Sequence, residues 1–188
     1  GEPGGPDSEV FYDFGIAHDP KFGESCHPNC DCGRFLEIGN SVFMLYQKQT
    51  DGSLKELAQK NVDFGGGLER LMAAIDGDPD VFKTAFFLPI IKEIERLTGK
   101  EYGKEPAAMR IICDHLKGSV IMIAEGLEPS NKQQGYVLRR LLRRAALKVF
   151  RMKPEAKSQD FDAIIATIFA MYEGIYLDQK ADFDRVSG

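Results

Sequence analysis

A chain of 188 residues with 43% hydrophobic and 28% charged side chains has the balance of a globular protein, with length for one large domain or two small ones. It holds no apolar run approaching the ~20 residues that span a bilayer, and its first residues lack a basic-then-apolar signal pattern, so no membrane partner is expected. The formal charge of −5 argues against nucleic acid as a partner for the chain as a whole, although one segment reverses that sign.

Residues 1–7 are rich in Gly and Pro, and no regular element is expected before Ser8. Glu9–Phe14 reads as a strand, followed by a long polar loop over residues 15–33. Three of the four cysteines crowd into that loop, in Cys26-His27-Pro28-Asn29-Cys30-Asp31-Cys32. Two cysteines one residue apart are poorly placed for a relaxed disulfide, which points to reduced thiols or a metal in a cytoplasmic protein. Cys26, Cys30 and Cys32, with His27 or an outside residue as fourth ligand, would satisfy Zn2+. The alternative is a tight loop in which Pro28 and Asn29 only form a turn.

A longer strand runs from Phe35 to Gln47, with Leu36, Ile38, Val42, Met44 and Tyr46 on its apolar face. A bulge at Gly39 would bring Glu37 and Asn40 toward one side. Asp51-Gly52 signals a hairpin that returns through Leu54–Lys60 into Val62-Asp63-Phe64-Gly65-Gly66-Gly67-Leu68-Glu69-Arg70. This stretch reads as a strand, three glycines and the first turn of a helix over Gly67–Ile75. Glycines let a backbone lie close against a planar or phosphorylated ligand, the helix N-terminus favours an anion, and Arg70 offers a bidentate fork. A flexible turn with a surface Glu-Arg pair is the competing reading.

Asp76-Gly77-Asp78-Pro79 stops that helix, and the rest reads as helical, which makes the chain α+β with domains over 1–80 and 81–188. A helix is expected over Leu88–Leu97, ending at Gly99. Another begins at Pro106, carries an apolar stripe of Met109, Ile112, Cys113, Leu116, Val120 and Ile123, and ends at Gly126. Cys113 reads as a core residue and His115 as a packing or surface residue. Ser130 with Gln133 forms a candidate capping box for the next helix. In that helix Tyr136, Leu138, Leu141, Leu142, Ala145 and Val149 are expected to face a core, with Arg140, Arg143, Arg144, Lys148 and Arg151 opposite. Residues 131–153 carry eight Lys/Arg and no Asp/Glu, a one-signed stripe suited to phosphates. A last helix, about Phe161 to Asp178, is expected to pack on the basic one.

Two of these stretches carry one resemblance. Asp63-Phe64-Gly65-Gly66-Gly67-Leu68-Glu69-Arg70 resembles the third signature of class II aminoacyl-tRNA synthetases, in the form typical of the alanyl-tRNA synthetase family. Pro129-Ser130-Asn131, then Gly135 to Arg140 and Arg143-Arg144-Ala145, is similar to another segment of that family. Gly5–Glu9 and Glu37–Phe43 resemble two more, in the same order, so the likeness covers about residues 2–152.

The resemblance implies a class II antiparallel core followed by a helical tRNA-recognition region, and ligation of alanine to tRNA-Ala using ATP and Mg2+. It implies that Gly65 and Gly67 line the adenosine site, that Arg70 binds the γ-phosphate, and that Glu37 contacts Mg2+ or ATP. Asp63 would hold the alanine ammonium, with Asn40 and Val62 bordering the pocket. Asn131 would read a G·U pair in the acceptor stem, and Arg139, Arg140, Arg143 and Arg144 would hold its backbone.

The family usually has Trp where Gly39 stands, which would remove a wall of the amino-acid pocket, and Lys132-Gln133-Gln134 departs from its usual residues after Pro-Ser-Asn. The family's first two signatures would lie before residue 1 and its editing domain after residue 188. The chain is therefore expected to be an internal piece or one half of a split enzyme, to need the N-terminal part of the catalytic core as partner, and not to activate alanine alone. The rival reading is a non-catalytic RNA-binding module derived from the synthetase. Asp63, Gly65, Gly67 and Arg70 together speak against it, because RNA binding does not demand them. A nucleotide-binding protein unrelated to tRNA would leave the basic segment unexplained.

Overall fold

In the computed structural model, which describes residues 1–177, 182, 183, 185 and 186, the chain divides into two units, Gly1–Thr84 and Ala85–Gly188. The first is an antiparallel sheet of β1 (Pro3–Gly4), β2 (Asp7–Asp13), β3 (Phe35–Lys48) and β4 (Leu54–Gly66). β3 is central, with β4 on one edge and β2 then β1 in succession along the other. The hairpin expected at Asp51-Gly52 forms, because Gly52 takes φ 85° and the Asp51 carboxylate accepts from Ser53 N and Oγ at 2.9 and 2.6 Å.

Residues 1–7 are not a bare lead-in. Pro3 lies opposite Gln47 and Gly4 opposite Tyr46, and a Cβ at Gly5 would overlap the Phe43 carbonyl oxygen. Gly1 and Gly5 serve close strand approach rather than a turn. Val10 faces Gly39 but Phe11 faces Glu37, so Ile38 is the extra residue of a bulge beside Gly39.

Helix α1 (Leu68–Asp76) starts at Gly67, whose N–H donates to Ile38 O at 3.3 Å, and stops where Gly77 takes φ 69°. It buries Ala73 and Ala74. Otherwise this unit buries little: Val10, Leu54, Val62 and Phe64 all stay exposed.

The second unit holds α2 (Leu88–Thr98), α3 (Pro106–Ala124), α4 (Gln133–Met152) and α5 (Asp162–Tyr172). α3 packs on α2 and α4, and Ile90, Ile94, Met109, Ile112, Leu138, Val149, Ile168 and Phe169 are buried in this unit. Cys113 is a core thiol, as its helical position suggests, and burial pushes its pKa up. His115 is mostly buried, with Nδ1 3.0 Å from Asp114 Oδ2.

Three expectations need correction. α5 packs principally on α2 and α3, and it is α3 that carries the basic helix. The last helix stops at Tyr172, where Gly174 adopts φ 73° and the Leu177 N–H returns to Tyr172 O at 3.2 Å; its expected end, Asp178, lies outside the described residues. Tyr136, expected in the core, is 51% exposed.

Candidate functional site

Strand register sorts the candidate residues of the sheet onto its two faces. Asn40 lies opposite Gly65 and Val42 opposite Asp63, and cross-strand partners share a face. The bulge at Ile38 removes one step from the alternation, so Glu37 joins them. Glu37, Asn40, Val42, Asp63 and Gly65 therefore occupy one face. Val62 does not: it pairs with Phe43 on the other. The wall next to Asp63 is Val42, a residue that motif reading missed but that the period-2 alternation through Asn40 could have found.

Gly39 also belongs to the opposite face. A Cβ there would come within 3.0 Å of the Phe64 ring, so Gly39 borders Phe64 and not the Asp63 side. Gly65 is different. Its φ is outside the left-handed region and a Cβ on it would meet nothing within 4 Å. Neither backbone conformation nor internal packing demands glycine at this position, and its missing side chain leaves open space beside Asp63 and Asn40.

Arg70, in the first turn of α1, crosses to β3. Its Nη1 donates to Glu37 O at 3.1 Å and to Glu37 Oε2 at 3.2 Å. At 48% exposure the pair adds little stability, about 0–1 kcal/mol, and its effect is positional. Both bonds use one nitrogen, so the Nε–Nη2 edge of the guanidinium is left as a fork for an oxyanion. Gly67 lies under the Arg70 stem, whose Cδ would be 3.1 Å from a Cβ added there. The α1 N-terminus adds partial positive charge beside the same fork.

In the second unit, α4 begins without the expected capping box. Lys132 is the cap residue and Gln133 has φ 47°, while Ser130 closes a turn of its own, its Oγ donating to Lys132 O at 3.0 Å. Ser130 N also donates to Gly135 O at 3.0 Å, and a Cβ at Gly135 would overlap Ser130 Oγ and Glu128 O. Gly135 thus lets the loop fold back on the helix and fixes Asn131 at its mouth. Asn131, Tyr136, Arg139, Arg140, Arg143, Arg144, Leu147 and Phe150 line a groove of about 620 Å3. The four arginines are exposed, and among the described residues none pairs with a carboxylate. A cationic groove with exposed aromatic rings suits an anionic, partly stacked ligand.

The cysteine loop gathers a third constellation. His18, Cys26, Cys30 and Cys32 bring their ligand atoms within 4.8 Å of one another. The fourth member is thus His18 and not His27, whose carbonyl is used in a turn with Cys30 N at 2.9 Å. Hydrogen bonding to His18 is the main cause that lowers the Cys32 thiol to about 6, and hydrogen bonding to Cys32 is the main cause that raises the His18 imidazole. No helix among the described residues is long and apolar enough to cross a membrane.

The family model described as "tRNA synthetases class II (A)" matches residues 1–188. The chain is 40% identical over 188 residues to an alanine–tRNA ligase of Borreliella afzelii, covering 96% of this chain and 31% of that protein. An alanine–tRNA ligase of Treponema pallidum is 37% identical over 186 residues, 95% of this chain and 30% of the relative. One of Elusimicrobium minutum is 47% identical over 141 residues, 73% of this chain and 16% of the relative. The chain spans about a third or less of the length of these curated relatives.

Proposed function

Because the chain belongs to the class II (A) tRNA synthetase family, we propose that it supplies one wall of the amino-acid and ATP site, and the acceptor-stem surface, of an alanine–tRNA ligase. The observation that carries this reading is the single sheet face on which Asn40, Val42, Asp63 and Gly65 surround open space, flanked by Arg70. Asp63 holds the ammonium of alanine, and Val42 and Asn40 keep the pocket small. Space above Gly65 admits the adenosine. The free edge of Arg70 takes the terminal phosphate of ATP.

An alanine carboxylate oxygen then attacks the α-phosphorus and pyrophosphate departs, its charge met by Arg70. The tRNA 3′-terminal hydroxyl next attacks the carbonyl of the alanyl adenylate, whose bond to the phosphate oxygen breaks, so that AMP departs and the hydroxyl proton is released. These residues position substrates and neutralise charge, and no covalent protein nucleophile is required. Glu37 has Oε2 on Arg70 and would hold Mg2+ through Oε1, a hard oxygen donor that fits that ion. When bound, Mg2+ offsets phosphate charge.

Residues 1–80 form the catalytic wall and 81–188 the RNA-binding part. Asn131 accepts from the free 2-amino group of a G·U pair across a shallow minor groove, while Arg139, Arg140, Arg143 and Arg144 hold phosphates. Among the described residues β4 pairs only with β3, and its Leu54, Val62 and Phe64 stay exposed, which supports a larger sheet whose remaining part completes the site.

The test is alanine-dependent ATP–pyrophosphate exchange in the full-length protein. Asp63→Asn raises KM for alanine by about 10- to 150-fold, the loss of a charge-assisted bond worth about 1.5–3 kcal/mol. An unchanged alanine KM refutes the assignment. The 188-residue chain alone shows no exchange above an Arg70→Ala control. Equal affinity for G·U and G·C acceptor stems would remove Asn131 from its role.

A further inference from the structure

We propose that His18, Cys26, Cys30 and Cys32 form a tetrahedral Zn2+ site that anchors the loop between β2 and β3. Three thiolates and one imidazole are a donor set that structural zinc takes, and they are too soft for Mg2+ or Ca2+. Tetrahedral ligands about 2.3 Å from zinc stand about 3.8 Å from each other. The two closest approaches have that spacing: Cys26 Sγ to Cys32 Sγ is 3.6 Å, and Cys30 Sγ to His18 Nδ1 is 3.7 Å. Two opposite edges of the cage therefore have the length of a zinc tetrahedron's, and no other edge exceeds 4.8 Å.

A further contact prepares the imidazole. His18 Nε2 lies 2.9 Å from Gly23 O, which holds the proton on Nε2 and leaves Nδ1 as the ligating atom. The loop itself explains the need. Residues 14–34 contain one short 3-10 turn, Pro20–Phe22, and Cys30 is their only buried side chain. A loop this long with so little regular structure is uncommon in a compact domain, and a bound metal would give it the cross-link that its missing core does not. Its base is already closed: Arg34 forks Asp13 at 2.8 and 2.7 Å, and Phe14 N donates to Arg34 O at 2.9 Å. The metal would fix the interior and, through Arg34, the start of the strand that carries Glu37. A disulfide between Cys26 and Cys32 would leave Cys30 and His18 without a reason to converge.

This site stands independently of the ligase reading and is tested without activity. Protein purified from zinc-supplemented cells is expected to hold one zinc per chain. Its Co2+-substituted form should show the thiolate charge-transfer and d–d bands of a tetrahedral site. Cys30→Ser and His18→Ala lose the metal, whereas His27→Ala retains it. Should a variant misfold, hydrogen exchange on the unsubstituted protein decides: chelation is expected to deprotect residues 15–33 and leave the helices unchanged. The proposal is overturned by metal-free protein with the same loop protection, by an iron chromophore, by a Cys26–Cys32 disulfide in alkylation mass spectra, or by loss of metal in His27→Ala.

Discussion

Adding one methyl group at Gly65 and at Gly135 should separate a glycine kept for a ligand from a glycine kept for the fold. At Gly65 the Cβ meets no atom within 4 Å and the backbone is one that alanine adopts freely. Gly65→Ala should therefore leave stability unchanged or raise it by up to about 1 kcal/mol, through the lower entropy of the unfolded chain. The methyl instead occupies the space assigned to adenosine. Overpacking of about 1–3 kcal/mol weakens ATP binding by about 5- to 150-fold. Gly135→Ala behaves in the opposite way. A helical backbone favours alanine by up to about 1 kcal/mol, but at this first-turn position of α4 the Cβ would overlap Ser130 Oγ and Glu128 O. The backbone oxygen cannot rotate aside, so a net loss of about 1–3 kcal/mol is expected, with the 128–131 loop displaced. Urea unfolding and the ATP dependence of pyrophosphate exchange, measured on both variants of the full-length protein, read the two effects. A Gly65→Ala protein that is destabilised yet binds ATP normally would refute the reasoning.

Arg70→Lys keeps the charge but loses the fork, and should raise KM for ATP by about tenfold or more in exchange assays, with circular dichroism unchanged. Arg143→Ala should weaken acceptor-stem binding uniformly across sequences and lower the slope of log K against log[KCl] by about 1 in filter binding. Asp13 is held down to about 2, from 3.8, chiefly by its hydrogen bond to Arg34. A carboxylate with a depressed folded-state pKa stabilises above its unfolded value, and that contribution fades as pH falls from about 4 to about 2. Asp13→Asn should therefore flatten the acid limb of stability in that window, as measured by thermal unfolding.

Elements were readable from sequence where a local signal determines them. The apolar run from Leu36 to Tyr46 marks the central strand, although the bulge at Ile38 breaks its expected alternation and turns Leu36 to the face opposite Val42, and Gly77 and Gly99 stop helices by taking φ 69° and 65°. Meetings between distant parts of the chain were not readable. Pro3 pairs with Gln47 although nothing near Pro3 announces a strand. His18 joins the thiols from eight residues before Cys26, while His27, next to it, does not. Adjacency also misled at Val62, because a strand sends neighbours to opposite faces and gives the place beside Asp63 to Val42. Ser130 with Gln133 matched a capping pattern, but the loop spends the hydroxyl on its own turn.

The uneven burial of the two units bears on the order in which the protein assembles. Nearly every fully buried apolar side chain described belongs to the helices after Ala85, whereas the sheet-bearing unit buries little beyond Ala73 and Ala74 of α1 and Cys30 of the loop. Helices joined through nearby contacts form fast and cooperatively, but a sheet that pairs Pro3 with Gln47 must first close a long loop. The arginine-lined helix is thus expected to be native before the strand that carries Asp63, so the surface proposed for RNA would form before the wall proposed for an amino acid.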